Sequence, residues 1–218
     1  MKFVNWLRFM KASDRLPHSI FYQLGQEYHQ TIRYAKWHFH KWKGLTLMKD
    51  PMCLSVYMMM LQEIKPRTII EFGTYDGGSA LWMSDMMKSL DHACDIHTFD
   101  IDAEKVNLPP NSGVTFHQLD NHKIKNFVAQ KRNLFREMKG PILVIEDSHA
   151  NVNELVRTID PFLNSGDYVI IEDTIDPIKY KETIDHGLNT MNYDLDTFYC
   201  DFWGYNNSCN VNSIFKKC

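Results

Sequence analysis

From residue 67 onward, short unbroken apolar runs alternate with longer segments of helical period. RTIIEF (67–72), DIHTFDID (95–102), VTFHQLD (114–120), PILVIEDSH (141–149) and DYVIIEDT (167–174) read as strands. Runs such as ILVI and YVII are apolar at every position, the pattern of strands buried on both faces. SALWMSDMMKSL (79–90), NFVAQKRNLFREM (126–138), NVNELVRTIDPFL (151–163) and PIKYKETIDHGLNTM (177–191) read as helices between them, and DLDTFYC (194–200) and SIFKK (213–217) as late strands. Such alternation predicts an α/β fold, with a mostly parallel sheet and helices on both faces. Ahead of it, Asp50 is placed to cap a helix that Pro51 begins, Leu54, Met58 and Leu61 keep its apolar face, and Lys65-Pro66 stops it. Trp82, Met83, Met86 and Met87, like Met58, Met59 and Met60, are read as core packing.

The first forty-odd residues carry many aromatics and histidines and end in AKWHFHKWKG (35–44). They predict a helical cap over 1–43, leaving 44–218 as the main domain. MKFVNWLRFMKASDRL reads as a short amphipathic helix that docks on the domain or on a partner subunit, and it suits a homo-oligomer. It lacks the small-residue cleavage site of a signal peptide. At 218 residues the chain suits one domain. A net charge of −3 argues against a nucleic-acid binder. No apolar run approaches the ~20 residues of a membrane span. The five cysteines show no CxxC spacing, which points to neither zinc nor a disulfide framework and fits a reducing, cytoplasmic home.

In parallel sheets ligands bind at the carboxyl ends of the strands. Five of those ends carry acid: Glu71; Asp100 and Asp102; Asp120; Glu146 and Asp147; Glu172 and Asp173. Each alone could cap a helix or sit in a turn. Together they would crowd one rim and repel one another unless a cation and hydroxyl-rich ligands sit there. After Glu71 comes Gly73, then Thr74 and Tyr75, then Gly77, Gly78 and Ser79. Gly73 allows a sharp turn, and Gly77 and Gly78 would let a ligand approach the start of the next helix. The spacing E-x-G-x-x-x-G-G-S is not the G-x-G-x-x-G of nicotinamide enzymes. Asp100 is placed to accept ribose hydroxyls, with Asp102 as the alternative. Asp120 could meet an adenine amino group or cap the helix that follows it.

GLTLMKDP, KPRTIIEFGTYDGGSA, VIEDSH, VIIEDT and the closing WGYNNSCNVNSIFKK together resemble the cephalosporin hydroxylase, or rhamnosyl O-methyltransferase-like, family over residues 44–217. The resemblance implies a Rossmann-like class I S-adenosylmethionine (SAM) methyltransferase fold with a mostly parallel seven-stranded sheet. It also implies Mg2+ held by Asp147, Glu172 and Asp173. Hard carboxylate oxygens suit Mg2+, which keeps positions open for substrate oxygens. The implied reaction is methyl transfer to a hydroxyl of a small molecule with neighbouring oxygens, a catechol or a vicinal diol.

Asp147 and His149 are the catalytic candidates. His149 could take the hydroxyl proton or could hydrogen-bond a loop carbonyl. Catechol O-methyltransferase has a lysine three residues after the equivalent acid, where this chain has Ala150. His122 is a further loop histidine. Trp37, His38, His40, Trp42, Tyr75, Trp203 and Tyr205 are candidate pocket walls. Three other readings compete. A nicotinamide-dependent oxidoreductase lacks its fingerprint. An iron hydroxylase needs His-x-Asp/Glu, which none of the ten histidines begins. A non-catalytic SAM-binding scaffold would be marked by loss of the metal-site acids.

Overall fold

A computed structural model describes residues 8–14, 40–206 and 210–218. Ten strands are present among them: β1 (Phe9–Met10), β2 (Lys41–Trp42), β3 (Leu45–Thr46), β4 (Thr68–Phe72), β5 (Asp95–Asp100), β6 (Val114–Gln118), β7 (Ile142–Glu146), β8 (Tyr168–Ile171), β9 (Tyr193–Asp196) and β10 (Ile214–Lys217). Eight form one sheet in the order β1-β9-β10-β8-β7-β4-β5-β6. The block from β6 to β8 is parallel, and β10 runs antiparallel between β8 and β9. Every residue of β4, β7 and β8 is buried, as their unbroken apolar runs require of central strands.

The helix Pro51–Ile64 starts as expected, with Asp50 accepting from the Met52 and Cys53 amides at 2.7 and 2.9 Å. The helices Gly78–Ser89 and Val152–Ile159 also fall where the period placed them. The stretch 126–138 instead divides into Ile124–Gln130 and Arg132–Arg136. The stretch 177–191 is a short α-helix, a π-turn and a 3-10 turn. Only Tyr193–Asp196 of the late stretch is strand; Asp196 accepts the Phe198 amide and turns the chain into the helix Thr197–Cys200. Trp82, Met83, Met87 and Met60 are core, but Met58 is 51 % exposed, so its helical face points outward.

The N-terminal expectation is corrected where it can be seen. Phe9–Met10 is a strand on the free edge of β9, which turns the expected seven strands into eight. Arg8 secures it through Asp196 at 3.1 Å and Glu63 at 2.8 Å. The remainder of the expected cap, with Trp37 and His38, lies outside the described residues. The expected boundary at 43/44 falls inside the β2–β3 hairpin, whose turn uses positive φ at Lys43 and Gly44. Among the described residues no helix is long and apolar enough to cross a membrane.

Candidate functional site

Phe72 lies opposite Phe99 and Glu146, and Glu146 lies opposite Ile171. The register therefore brings the next residue of each strand, Gly73, Asp100, Asp147 and Glu172, to one rim. The rim has two halves.

On the β4–β5 half, Glu71 is fully buried. Ser79 donates to its Oε1 and Thr98 to its Oε2 at 2.9 Å, and Thr74 backs Thr98 at 2.7 Å. Burial pushes the Glu71 carboxyl up to about 7, against the pull of Lys49 and Ser79. Asp100 accepts the Tyr75 amide at 2.9 Å and the Asp102 amide at 3.0 Å, which holds its carboxylate beside the glycine turn. Asp102 turns instead to Lys105 at 3.1 Å. Of the two ribose candidates, Asp100 is the one bonded to the glycine turn. Asp120 caps the turn Asn121–Lys123 through the His122 amide at 3.0 Å, the helix-cap alternative. His122 is exposed.

The glycines have reasons the sequence did not disclose. A Cβ on Gly73, at φ +107, would stand 2.6 Å from the Asp147 backbone. One on Gly78 would stand 2.0 Å from the Thr46 carbonyl oxygen, and one on Gly77 2.7 Å from Leu108. Protein atoms, including those of the hairpin, thus already require glycine at Gly77 and Gly78. Asp76 accepts the Thr46 amide at 2.7 Å and Asp85 accepts the Trp42 indole at 2.7 Å, which ties the hairpin over the helix Gly78–Ser89. Trp42 is thereby a clamp, and His40 bonds the Lys49 carbonyl. Trp203 donates to Ser55. Tyr205 lines a cleft with Arg8, Phe198 and Phe202, and no rim acid lines it.

On the β7–β8 half, one ligand atom each from Asp147, His149 and Asp173 lies within 4.8 Å of the others. His149 Nε2 is 3.6 Å from Asp147 Oδ1 and 3.5 Å from Asp173 Oδ2. His149 and Asp173 both hold positive φ. Glu146 shapes this loop: its Oε1 accepts the Ser148 and His149 amides at 3.0 and 2.8 Å. Glu172 stands apart from the three. It accepts from the Tyr57 hydroxyl and pairs with Lys49 at 3.2 Å. Lys49 also reaches Asp147 Oδ2 at 2.8 Å. Burial raises the carboxyl pKa of both acids, while Lys49 lowers it. Burial works against the Lys49 ammonium too, but Asp147 and Glu172 outweigh it and hold it well above the usual range. Lys179 Nζ sits 2.7 Å from His149 Nδ1 and 3.1 Å from Glu146 Oε2.

Lys49, Tyr57 and Lys179 were missed by sequence reasoning. Lys49 precedes the helix cap Asp50 and looks like a solvated end charge. Its acid partner Asp147 is 98 residues away, and no local spacing announces that pairing.

A mostly parallel sheet with a glycine turn after β4, an acid at the end of β5 and an acid cluster at the ends of β7 and β8 defines the class, a Rossmann-like class I methyltransferase fold. The chain belongs to the rhamnosyl O-methyltransferase/CmcI family, whose sequence profile matches residues 34–190. The rhamnosyl O-methyltransferase of Mycobacterium leprae (strain TN) is 26 % identical over 156 residues, 69 % of this chain and 68 % of that enzyme. That of Mycobacterium bovis (strain BCG / Pasteur 1173P2) is 24 % identical over 152 residues, 65 % of this chain and 62 % of that enzyme. This chain thus spans about two thirds of their length. CmcI solved with Mg and SAM is 31 % identical, with a TM-score of 0.72 over 85 % of this chain and 79 % of that one. CmcI solved with SAH is 30 % identical, with a TM-score of 0.67 over 84 % and 85 %.

Proposed function

We propose that the protein transfers the methyl group of SAM to a hydroxyl of a small molecule with neighbouring oxygens, with Mg2+ held by Asp147, Glu172 and Asp173. The observation that carries this reading is the convergence of Asp147, His149 and Asp173 on the same rim as Asp100 and the glycine turn. The donor set suits the ion once Glu172, which here faces Lys49 and Tyr57, turns to join Asp147 and Asp173. Its three carboxylates supply hard oxygens, and Lys49 offsets one of their charges, leaving the surplus a divalent cation neutralises. When bound, the ion would orient a substrate hydroxyl and lower its pKa.

The chain's own residues do the rest. Asp100 accepts from the ribose, and Tyr75 and the turn at Gly73 set its position. Holding methyl donor and hydroxyl in line can supply roughly 7–11 kcal/mol of the barrier, so positioning is most of the catalysis. The sulfonium loses its charge during transfer, so no oxyanion device is required. His149 is the proton acceptor. Lysine has only donors, so Lys179 gives a hydrogen to His149 Nδ1 and the ring hydrogen sits on Nε2, toward the acids. For His149 to accept a hydroxyl proton at Nε2, the nitrogen that faces the acids, Lys179 must withdraw and the ring hydrogen must move to Nδ1. The names of the mycobacterial relatives specify a rhamnosyl acceptor, a sugar with adjacent hydroxyls. That favours a vicinal diol over a catechol.

The scaffold reading predicts loss of the metal-site acids, and the sequence keeps all three. The test is incubation with SAM, Mg2+ and a methyl rhamnoside or a catechol, with mass spectrometry of the products. Methylated acceptor and S-adenosylhomocysteine support the proposal. SAM binding without turnover of any vicinal diol or catechol would favour the scaffold.

A further inference from the structure

We infer that Lys49 is a resident counter-cation that competes with the divalent ion and so sets the affinity of the site; the inference rests on the metal reading above. The Lys49 side chain is 3 % exposed, and its ammonium bridges one oxygen of Asp147 and one of Glu172. Tyr57 donates to that same oxygen of Glu172, Oε1, and its ring centroid lies 5.5 Å from the ammonium. Glu172 is thereby turned toward Lys49 and Tyr57 rather than toward His149 and Asp173. Asp147 is shared: Oδ2 goes to Lys49 while Oδ1 faces His149.

Two consequences follow from charge alone. Without a metal, the bridge holds two crowded acids close together, where they would otherwise repel. With a metal, the ammonium is a like charge next to a divalent ion, and Glu172 must loosen from Lys49 to reach it. Removing an orienting partner commonly weakens metal binding by roughly 10–100-fold. Here the repulsion removed with the ammonium is the larger effect, because both cations share the same two carboxylates in a poorly solvated place.

The test is calorimetric titration of the full chain with MgCl2, without SAM or acceptor, in wild type, Lys49→Met and Lys49→Arg. Lys49→Met is expected to bind Mg2+ at least roughly tenfold more tightly, and Lys49→Arg to stay near wild type. In thermal scans, Mg2+ should raise the Tm of Lys49→Met more than that of wild type, since only the variant leaves two acids uncompensated. Should Lys49→Met not fold, Lys49→Gln, neutral but still hydrogen-bonding, gives the same reading. Unchanged or weaker Mg2+ binding in the neutral variant would overturn the inference and leave Lys49 as a scaffold. No Mg2+ binding by wild type or any variant would remove the metal reading and the inference with it.

Discussion

The two halves of the rim present the same raw material, acids at the ends of adjacent parallel strands, and give it different partners. Glu71 on β4 is surrounded by hydroxyls from Ser79 and Thr98 and is pushed up to about 7. Asp147 and Glu172, at the ends of β7 and β8, are matched by a buried ammonium. Burial pushes all three carboxyls up; what opposes it differs, hydroxyl donors together with the more distant pull of Lys49 at Glu71, and the Lys49 ammonium in direct contact at Asp147 and Glu172. The first half thus uses its acid in hydrogen bonds that organise the glycine turn, and the second holds its acids on a shared ammonium.

The sharpest way to break this contrast is Asp147→Ala. It should reduce Mg2+-dependent methyl transfer to the limit of detection while SAM affinity changes little, read by turnover and calorimetry side by side. A variant with wild-type activity would sink the metal assignment. Next in size is Gly73→Ala, at the seam between the halves. Its methyl would press on the Asp147 backbone at positive φ, so a loss on the order of 3 kcal/mol is expected in denaturant unfolding. A change within ±0.5 kcal/mol would mean that β4 and β7 yield to it.

Glu71→Gln sharpens the comparison through pH. A carboxyl whose folded value exceeds its unfolded one is protonated in both states below pH 4.5 and has no effect there. As the pH rises from 4.5 to about 7, the unfolded chain releases its proton first, so wild-type stability falls, by about 3 kcal/mol at most. The variant should match wild type at pH 4 and exceed it at pH 8, and parallel stability curves would show that Glu71 is not perturbed. The smallest effect belongs to Asp120→Asn. An asparagine still caps the turn, so Tm and SAM affinity should both stay close to wild type. A clear loss of SAM affinity would mean that the carboxylate reads the adenine after all.

The central strands were legible because burial on both faces leaves unbroken apolar runs, and the strand-end acids were legible because they follow those runs directly. The helix at Pro51 was legible from its Asp50-Pro51 start, its apolar spacing and its stop at Lys65-Pro66. Phe9–Met10 was not, since a two-residue edge strand has no period to detect and is held by distant residues of β9, Asp196 and Leu195. Within the site, the acids could be named but not sorted. Asp147 and Asp173 converge with His149, while Glu172 turns to Lys49, a difference set by tertiary contacts with Tyr57 and Lys49. The glycine turn was legible as a turn, but its occupants, Leu108 and the hairpin at Thr46, were not. Those contacts form only once the chain has folded.

The most direct test of the account is calorimetric titration with SAM, followed by a methyl rhamnoside and by a catechol, each with and without Mg2+. The account predicts that SAM binds in every condition and that an acceptor with adjacent hydroxyls binds only when Mg2+ is present. Absence of SAM binding under all conditions would contradict it.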